Sequence, residues 1–473
     1  MSDTQGRALL RIEGLLDAGS FVEVGGLVTA RNTDFKATLE KKPSDGVVTG
    51  YGTVDGSLVY VYSQDMTVLG GTVGEMHAKK IANVYRLAAK MGAPIVGFLE
   101  SGGLRLEEST DALSSLGSIY RMAARLSGSV PQIVGVFGSC GGGLSFIPAI
   151  ADFVFMEKDA HLFVNSPDAI PGSSRDRKDL STAASQEELS NIDFTGSEEE
   201  ILAGMRNLLS VLPANFGEDG YTGVCEDDLN RLTAGIDAYA ADTMGILQSI
   251  SDGGMVIEAG GHGKSMITAF IRLGGTTVGV IANRSAYTDE EGNVHELDGK
   301  ICPCGVRKAA KMLRFCDAFN IPVLTIASAT GYKAKEKAED MLPKAAARLI
   351  YAYANADVPK VTLCIGSLYG SAAVLMGSRS VGADMVYAWP DTKIGTMAGE
   401  AAAKILKPGA DAATLKETAE AYDTLQQSVA SAAARGYVDC VISPAETRKY
   451  LIGAFEMLYA KRETLPDKKH GTV

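Results

Sequence analysis

No apolar run among the 473 residues approaches the roughly 20 that a helix needs to cross a bilayer. An excess of basic charge is lacking as well, because 45 Lys and Arg stand against 57 Asp and Glu, a formal charge of −12. Nucleic acid and anionic membranes both demand a basic face, so neither is expected as a bulk partner; a small anion held in a local pocket stays compatible. Cysteine is sparse and scattered, at positions 140, 225, 302, 304, 316, 364 and 440. That odd number, without framework spacing or a signal-like apolar start, implies a reducing cytoplasm. Cys302-Pro-Cys304 could be half of a zinc site, but no second pair follows and the five histidines lie elsewhere. Tetrahedral zinc needs four ligands, so no metal is expected.

Nucleophile signatures are missing too. The chain has no G-x-S-x-G, no H-E-x-x-H and no Cys with a His near it in sequence. His77, His161 and His262 read as structural. In "GGHGKS" (Gly260–Ser265), Glu258 occupies the place where a phosphate loop needs its first glycine. Glu107 and Glu108 could serve as acid or base in a hydratase, but read as a solvated helix start favoured by the dipole.

What the chain does have is a repeat. "YGTVDGSLVYVYSQDMT" from Tyr51 and "FIRLGGTTVGVIANRSA" from Phe270 are both hairpin patterns, turning at Asp55-Gly56 and Gly274-Gly275. A helix follows the first, with Ile81, Val84, Tyr85, Ala88 and Met91 on one face. Pro94 and Pro322, Pro131 and Pro359, and Gly142 and Gly370 all lie 228 positions apart, whereas Gly56 and Gly275 differ by 219. The second copy therefore carries about nine extra residues, in "AYTDEEGNVHELDGK". Alternating strands and helices give an α/β class, with two homologous domains of stacked ββα-like units, 1–240 and 241–473. The polar piece from Pro171 to Glu200 reads as a surface excursion with short helices, or as a lid.

Glycine is plentiful, with 53 residues, and it gathers where buried strands end. "ESGGLRL" and "GSCGGGLSF" do so in the first copy; "ASATGYK" and "GSLYGSAAVLM" stand at the equivalent points of the second. Amides at a helix N-terminus lack partners and carry partial positive charge, and glycine lets an oxygen approach them. That is how an oxyanion hole is built. A tight turn with close helix–strand packing explains the same glycines, and the local sequence leaves both readings open.

Nearly the whole chain resembles the carboxyltransferase subunits of biotin-dependent acyl-CoA carboxylases and decarboxylases. The likeness rests on "LLDAGSFVEV", "SQDMTVLGGTVGEMHAKKI", "SGGLRL", "RFCDAFNIPVLT", "VPKVT" and "YAWPDTKIGTM". The resemblance implies a pair of crotonase-like domains, the first on the acyl-CoA side and the second on the biotin side. It implies movement of a carboxyl group between N1 of biotin and the α-carbon of an acyl-CoA, with both enolates held by backbone amides. Gly142 and Gly143 are then the acyl-CoA oxyanion hole, beside Gly141, and Ser101, Gly102, Gly103 and Arg105 shape the neighbouring pocket. Ser371 and Ala372 are the biotin-side hole, after Gly370, and Val374 fills a common acidic position of the acyl pocket. Tyr369-Gly370-Ser371-Ala372-Ala373 replaces the usual Y-G-G-A-Y. Because no biotinylation string is present, the resemblance implies a separate biotin carboxyl carrier protein. It further implies a biotin carboxylase or a membrane decarboxylase subunit, a hexamer, and a cytoplasmic place, peripheral to the membrane in a decarboxylase pump. A hydratase using Glu107 or Glu108, and a non-catalytic scaffold subunit, are the rival readings.

Overall fold

The computed structural model describes residues 6–33, 42–166, 179–218, 225–289 and 291–463. The chain divides into two compact units, Met1–Asp219 and Gly220–Val473; the expected boundary at 240/241 lies within the second.

The first unit is built on one mixed sheet. Val47–Val54 and Ser57–Gln64 form an antiparallel hairpin. Asp55 and Gly56 turn it with φ of 49° and 80°, the left-handed pair that a type I′ turn requires. Ile95–Ser101, Gln132–Gly141 and Phe153–Glu157 then add in parallel, each reached through a crossover. The helix Glu75–Met91 buries His77, Ala78, Ile81, Val84, Tyr85 and Ala88. Met91 departs from expectation and is 61% exposed. It is the last helical residue, just before left-handed Gly92, and the chain turns away there.

The second unit repeats this plan. Met266–Leu273 and Thr276–Asn283 pair antiparallel, turned by Gly274 and Gly275 at 61° and 82°. Val323–Ala327, Lys360–Cys364 and Met385–Ala388 follow in parallel. The two prolines of each copy precede a strand, where a missing N–H is tolerated, and their carbonyls join the ladder. Tyr60 N donates to Pro94 O and Gly279 N to Pro322 O, both at 2.9 Å. The extra residues of the second copy form a small ribbon, Ala286–Thr288 with Val294–Glu296, between the hairpin and the helix Pro303–Ala318. With that ribbon passed, the helices begin 228 positions apart, at Glu75 and Pro303.

The polar stretch expected to be a surface excursion is corrected in its described part. Pro171–Lys178 lies outside the described residues, but Phe194–Gly196 joins the sheet beside Phe153–Glu157. Phe194 stacks on Phe155 at 4.4 Å, and Ser181, Ala183, Ser185 and Ile192 are buried. Alternation of small apolar and polar residues hid this packing. Among the described residues, no helix is long and apolar enough to cross a membrane.

Close packing around the central strands gives a direct test. A Cβ at Gly97 would lie 2.2 Å from Cζ of Tyr62, whereas one at Gly117, inside the helix Ser109–Leu126, meets nothing within 4 Å. Gly97→Ala is expected to destabilise the first unit by about 1–3 kcal/mol through overpacking. Gly117→Ala should stabilise it by about 0.5–1 kcal/mol. Thermal melts of both variants check the opposite signs.

Candidate functional site

The strand Gln132–Gly141 runs into a short helical segment, Gly142–Ser145 then Phe146–Ile150. The four glycines from Gly138 to Gly143 have four different reasons. Gly138 bends the strand at φ 58°, with a Cβ position 2.9 Å from Oε1 of Glu100. Gly141 faces the Phe163 ring, where a Cβ would sit 2.5 Å from Cε2. Gly142 is left-handed at φ 64° with nothing within 4 Å of its Cβ position. A Cβ on Gly143 would meet the Tyr120 hydroxyl at 2.6 Å. Gly142 is thus the open position, while Gly143 is closed on its Cα side by protein. Tyr120, which sequence reasoning passed over, donates to Gly143 O at 2.5 Å and so fixes that peptide's orientation. Its position one turn after Leu116 on a buried helix face was the available signal. As first-turn amides, Gly142, Gly143 and Leu144 lack an intrahelical acceptor.

Ser101 ends the neighbouring strand Ile95–Ser101, opposite Cys140, and Gly102–Arg105 form the turn that follows. Ser101 Oγ donates to Gly71 O at 2.6 Å and accepts from Gly103 N at 3.1 Å. Gly102 N donates to Gly70 O, Val73 N to Gly103 O, and Arg105 N to Val73 O. The turn is therefore sewn to residues 70–73, with Gly103 left-handed at 105°.

Beneath it lies a buried polar layer. Arg105 is 2% exposed; its Nη1 is 2.9 Å from Asp45 Oδ1 and 2.7 Å from Glu108 Oε1, and Nη2 donates to Thr72 O. Its guanidinium is engaged from below the turn rather than offered above it. The solvated reading of Glu108 is overturned. That carboxylate is 3% exposed, and it accepts the Glu75 N–H at the start of the helix Glu75–Met91. Gly74 is what makes room, since a Cβ there would lie 2.4 Å from both Arg105 Nη1 and Glu108 Oε1. Asp45 also accepts from His77 N, and the His77 ring lies between Asp45 O and Gln64 Nε2 at 3.0 and 3.1 Å. Gln64 in turn accepts from Glu100 N. Burial drives the His77 pKa down to about 3, keeping the ring neutral, and raises that of Asp45.

The second unit carries the same frame with other chemistry. Tyr369 is extended, Gly370 left-handed at φ 61°, and a helix runs Gly370–Leu375. Ser371 is exposed, Ala372 buried, and Val374 is 41% exposed one turn on. Tyr369 N donates to Ala329 O, tying this turn to its neighbour. There, Ile301 N donates to Gly331 O and Lys333 N to Ile301 O, as Val73, Gly103 and Arg105 do in the first unit. Asn283 accepts from Ser328 N as Gln64 does from Glu100 N. Lys80 and Lys308, each buried and each lowered to about 8 by desolvation, hold backbone carbonyls at equivalent points. The site residues thus gather in two groups, one per unit, each a left-handed glycine beside a second tied-down turn; Gly142 is open, whereas a Cβ on Gly370 would lie 3.3 Å from Thr396 O.

A family model described as "Carboxyl transferase domain" matches residues 3–473. Methylmalonyl-CoA decarboxylase subunit alpha of Propionigenium modestum is 39% identical, over 98% of this chain and 92% of that one. Propionyl-CoA carboxylase beta chain of Roseobacter denitrificans is 37% identical with the same coverage. The structure of the transcarboxylase 12S hexamer, with methylmalonyl-CoA bound, superposes with a TM-score of 0.91 at 35% identity, covering 98% and 92% of the two chains. This chain belongs to the carboxyl transferase family, with the crotonase-like α/β fold, and is a carboxyltransferase of the biotin-dependent acyl-CoA carboxylase and decarboxylase group.

Neutral His77 couples the polar layer to pH. Its folded pKa lies below the unfolded value of about 6.5, so the unfolded chain binds more protons between about pH 6.5 and pH 3. Stability is full above that window and falls on acidification by up to about 1.4 kcal/mol per pH unit. Melting of the first unit should therefore drop more steeply from pH 7 to pH 5 in the wild type than in His77→Gln. Parallel curves would contradict a neutral buried ring.

Proposed function

We propose that the chain moves a carboxyl group between N1 of carrier-borne biotin and the α-carbon of a short-chain acyl-CoA. The acyl-CoA is taken by the first unit and biotin by the second. The observation that carries this reading is the matched pair of turns. Gly142 and Gly370 stand 228 positions apart with φ of 64° and 61°, each after an extended residue and before a helical turn. Duplicated first-turn amides suit two developing negative charges, one on each reactant. The relatives named for propionyl-CoA and methylmalonyl-CoA support a short acyl chain.

In this account the amides of Gly142 and Gly143 hold the thioester oxygen as the α-carbon gains or loses its carboxyl group. Tyr120, bonded to the Gly143 carbonyl, holds the peptide that follows Gly143, and Ser101–Arg105 forms the adjoining wall, with Arg105 acting through the turn it braces. The amides of Ser371 and Ala372 fit an anionic oxygen of the biotin ring, and Val374 lies about one turn further along the same helix. Carboxylated biotin, when bound, supplies the carboxyl group, or free biotin receives it. Each amide donor contributes about 3 kcal/mol to the transition state, and no side-chain nucleophile is needed. The hydratase alternative loses Glu108 as its base, because that carboxylate is buried against Arg105 and the Glu75 amide. A carrier protein, a biotin carboxylase or membrane decarboxylase subunit, a hexamer like the 12S assembly, and a cytoplasmic place complete the proposal.

Two substitutions test it. Gly142→Ala strains a left-handed residue by about 1–2 kcal/mol, and rotation of the following peptide relieves that strain at the expense of a donor. Transfer should slow by about 10²–10³-fold with acyl-CoA affinity nearly kept; an unchanged rate would remove the backbone hole from the account. Ser371→Gly keeps every amide and should retain transfer. Ser371→Pro deletes one and should abolish biotin-dependent transfer while sparing acyl-CoA binding. A dead glycine variant would make the hydroxyl the acting group.

A further inference from the structure

The pair Cys302 and Cys304 is left unused by the reaction. At the equivalent positions of the first unit stand Gly74 and Met76, so the two thiols belong to the second unit alone. Cys302 is the residue before the 16-residue helix Pro303–Ala318, and its sulfur accepts the Gly305 N–H at 3.3 Å. Ser265 Oγ lies 3.5 Å from the same sulfur, and the Cys304 thiol hydrogen-bonds it. Lys333 supplies a positive charge nearby. Arg307 Nη2 reaches Cys304 Sγ at 3.7 Å. The Cys304 hydrogen bond, then those of Ser265 and Gly305, hold the Cys302 thiol well below its ordinary range. The same shared proton pushes Cys304 up. The two thiols, one residue apart at the start of the helix, are both partly exposed and neither is in a disulfide. Cys140, Cys316 and Cys364, by contrast, are buried.

We propose that Cys302 and Cys304 are a reversible oxidation site, at which a hydroperoxide converts the two thiols into a disulfide that loosens the second unit's glycine turn. The Cys302 sulfur attacks the peroxide oxygen, the O–O bond breaks, and hydroxide leaves a sulfenic acid. Cys304 sulfur then attacks the sulfenic sulfur, the S–S bond forms, and the hydroxyl departs with the Cys304 proton as water. Two electrons pass from the thiols to the peroxide, and an added thiol reverses the change. The structural consequence is local. The disulfide removes the charged cap on the Gly305 amide and the counter-charge of Lys333. Ile301, the residue before Cys302, is bonded to both Gly331 O and Lys333 N, so the strain passes directly to the turn at 329–333. The effect on transfer rests on the proposed function; the oxidation does not.

The test treats the full reduced chain with hydrogen peroxide and maps the product by mass spectrometry. The expected result is a Cys302–Cys304 disulfide, a carboxyl-transfer rate at least about tenfold lower, and recovery with dithiothreitol. In Cys304→Ser the reaction should stop at a Cys302 sulfenic acid trapped by dimedone. At pH 6, iodoacetamide should modify Cys302 about tenfold faster than the other partly exposed thiols, Cys225 and Cys440. Oxidation of Cys225 or Cys440 ahead of the pair overturns the site. A disulfide that forms without any change in transfer overturns its link to the turn. Should the wild type show no transfer, the functional reading fails, and the mass measurement still decides the oxidation.

Discussion

One backbone constraint organises each half of this protein: a residue at the end of a strand must take a left-handed φ so that the chain can enter a helix at once. An L side chain pays about 1–2 kcal/mol there, and Gly142 and Gly370 avoid it. The first helical amides then point outward from the sheet's end, unpartnered within the helix. Everything nearby holds that geometry in place. Phe163 closes on Gly141, Tyr120 clasps the Gly143 carbonyl, and Ser101 locks the adjacent turn to residues 70–73.

The two copies keep the frame and change what lies beneath it. In the first, Arg105 gathers Asp45, Glu108 and a backbone carbonyl into a fully buried cluster. An unpaired charge at that depth would be strongly destabilising, so the cluster acts as one rigid base for the Ser101–Arg105 turn. In the second, Lys333 holds the same backbone place, and a sulfur rather than a carboxylate caps the neighbouring helix. Duplication preserved hydrogen bonds between peptides more faithfully than it preserved side chains. That is the pattern expected if the amides do the chemistry and the side chains serve the two different ligands.

The residues made the duplication legible because proline and glycine mark backbone conformations that few other residues supply. Pro94 and Pro322, with Gly142 and Gly370, fixed the 228-residue register, and the same register relates Val73 to Ile301 and Gly103 to Gly331 in the structure. The hairpins at Asp55-Gly56 and Gly274-Gly275 were equally plain. What stayed hidden depends on contacts between residues far apart in sequence. Glu108 looks like a solvated helix start until Asp45, more than sixty positions earlier, brings Arg105 inward beside it. Phe194 reads as part of a polar stretch until Phe155 stacks on it. At Gly141 and Gly143 the glycines answer to Phe163 and Tyr120, so only Gly142 is open in the manner the site reading first asked of the whole run.

Carboxyl transfer by backbone amides alone requires neither a metal nor ATP, and the purified chain can be asked for it directly. The measurement is the passage of isotopically labelled carboxylate from methylmalonyl-CoA to biotin, free or on a carrier domain, with chelator present and no nucleotide added. The account predicts labelled carboxybiotin and propionyl-CoA in equal amounts, with label returning to the thioester when propionyl-CoA is supplied in excess. Decarboxylation that proceeds equally well without biotin would contradict it, as would failure to transfer label from any short-chain carboxyacyl-CoA.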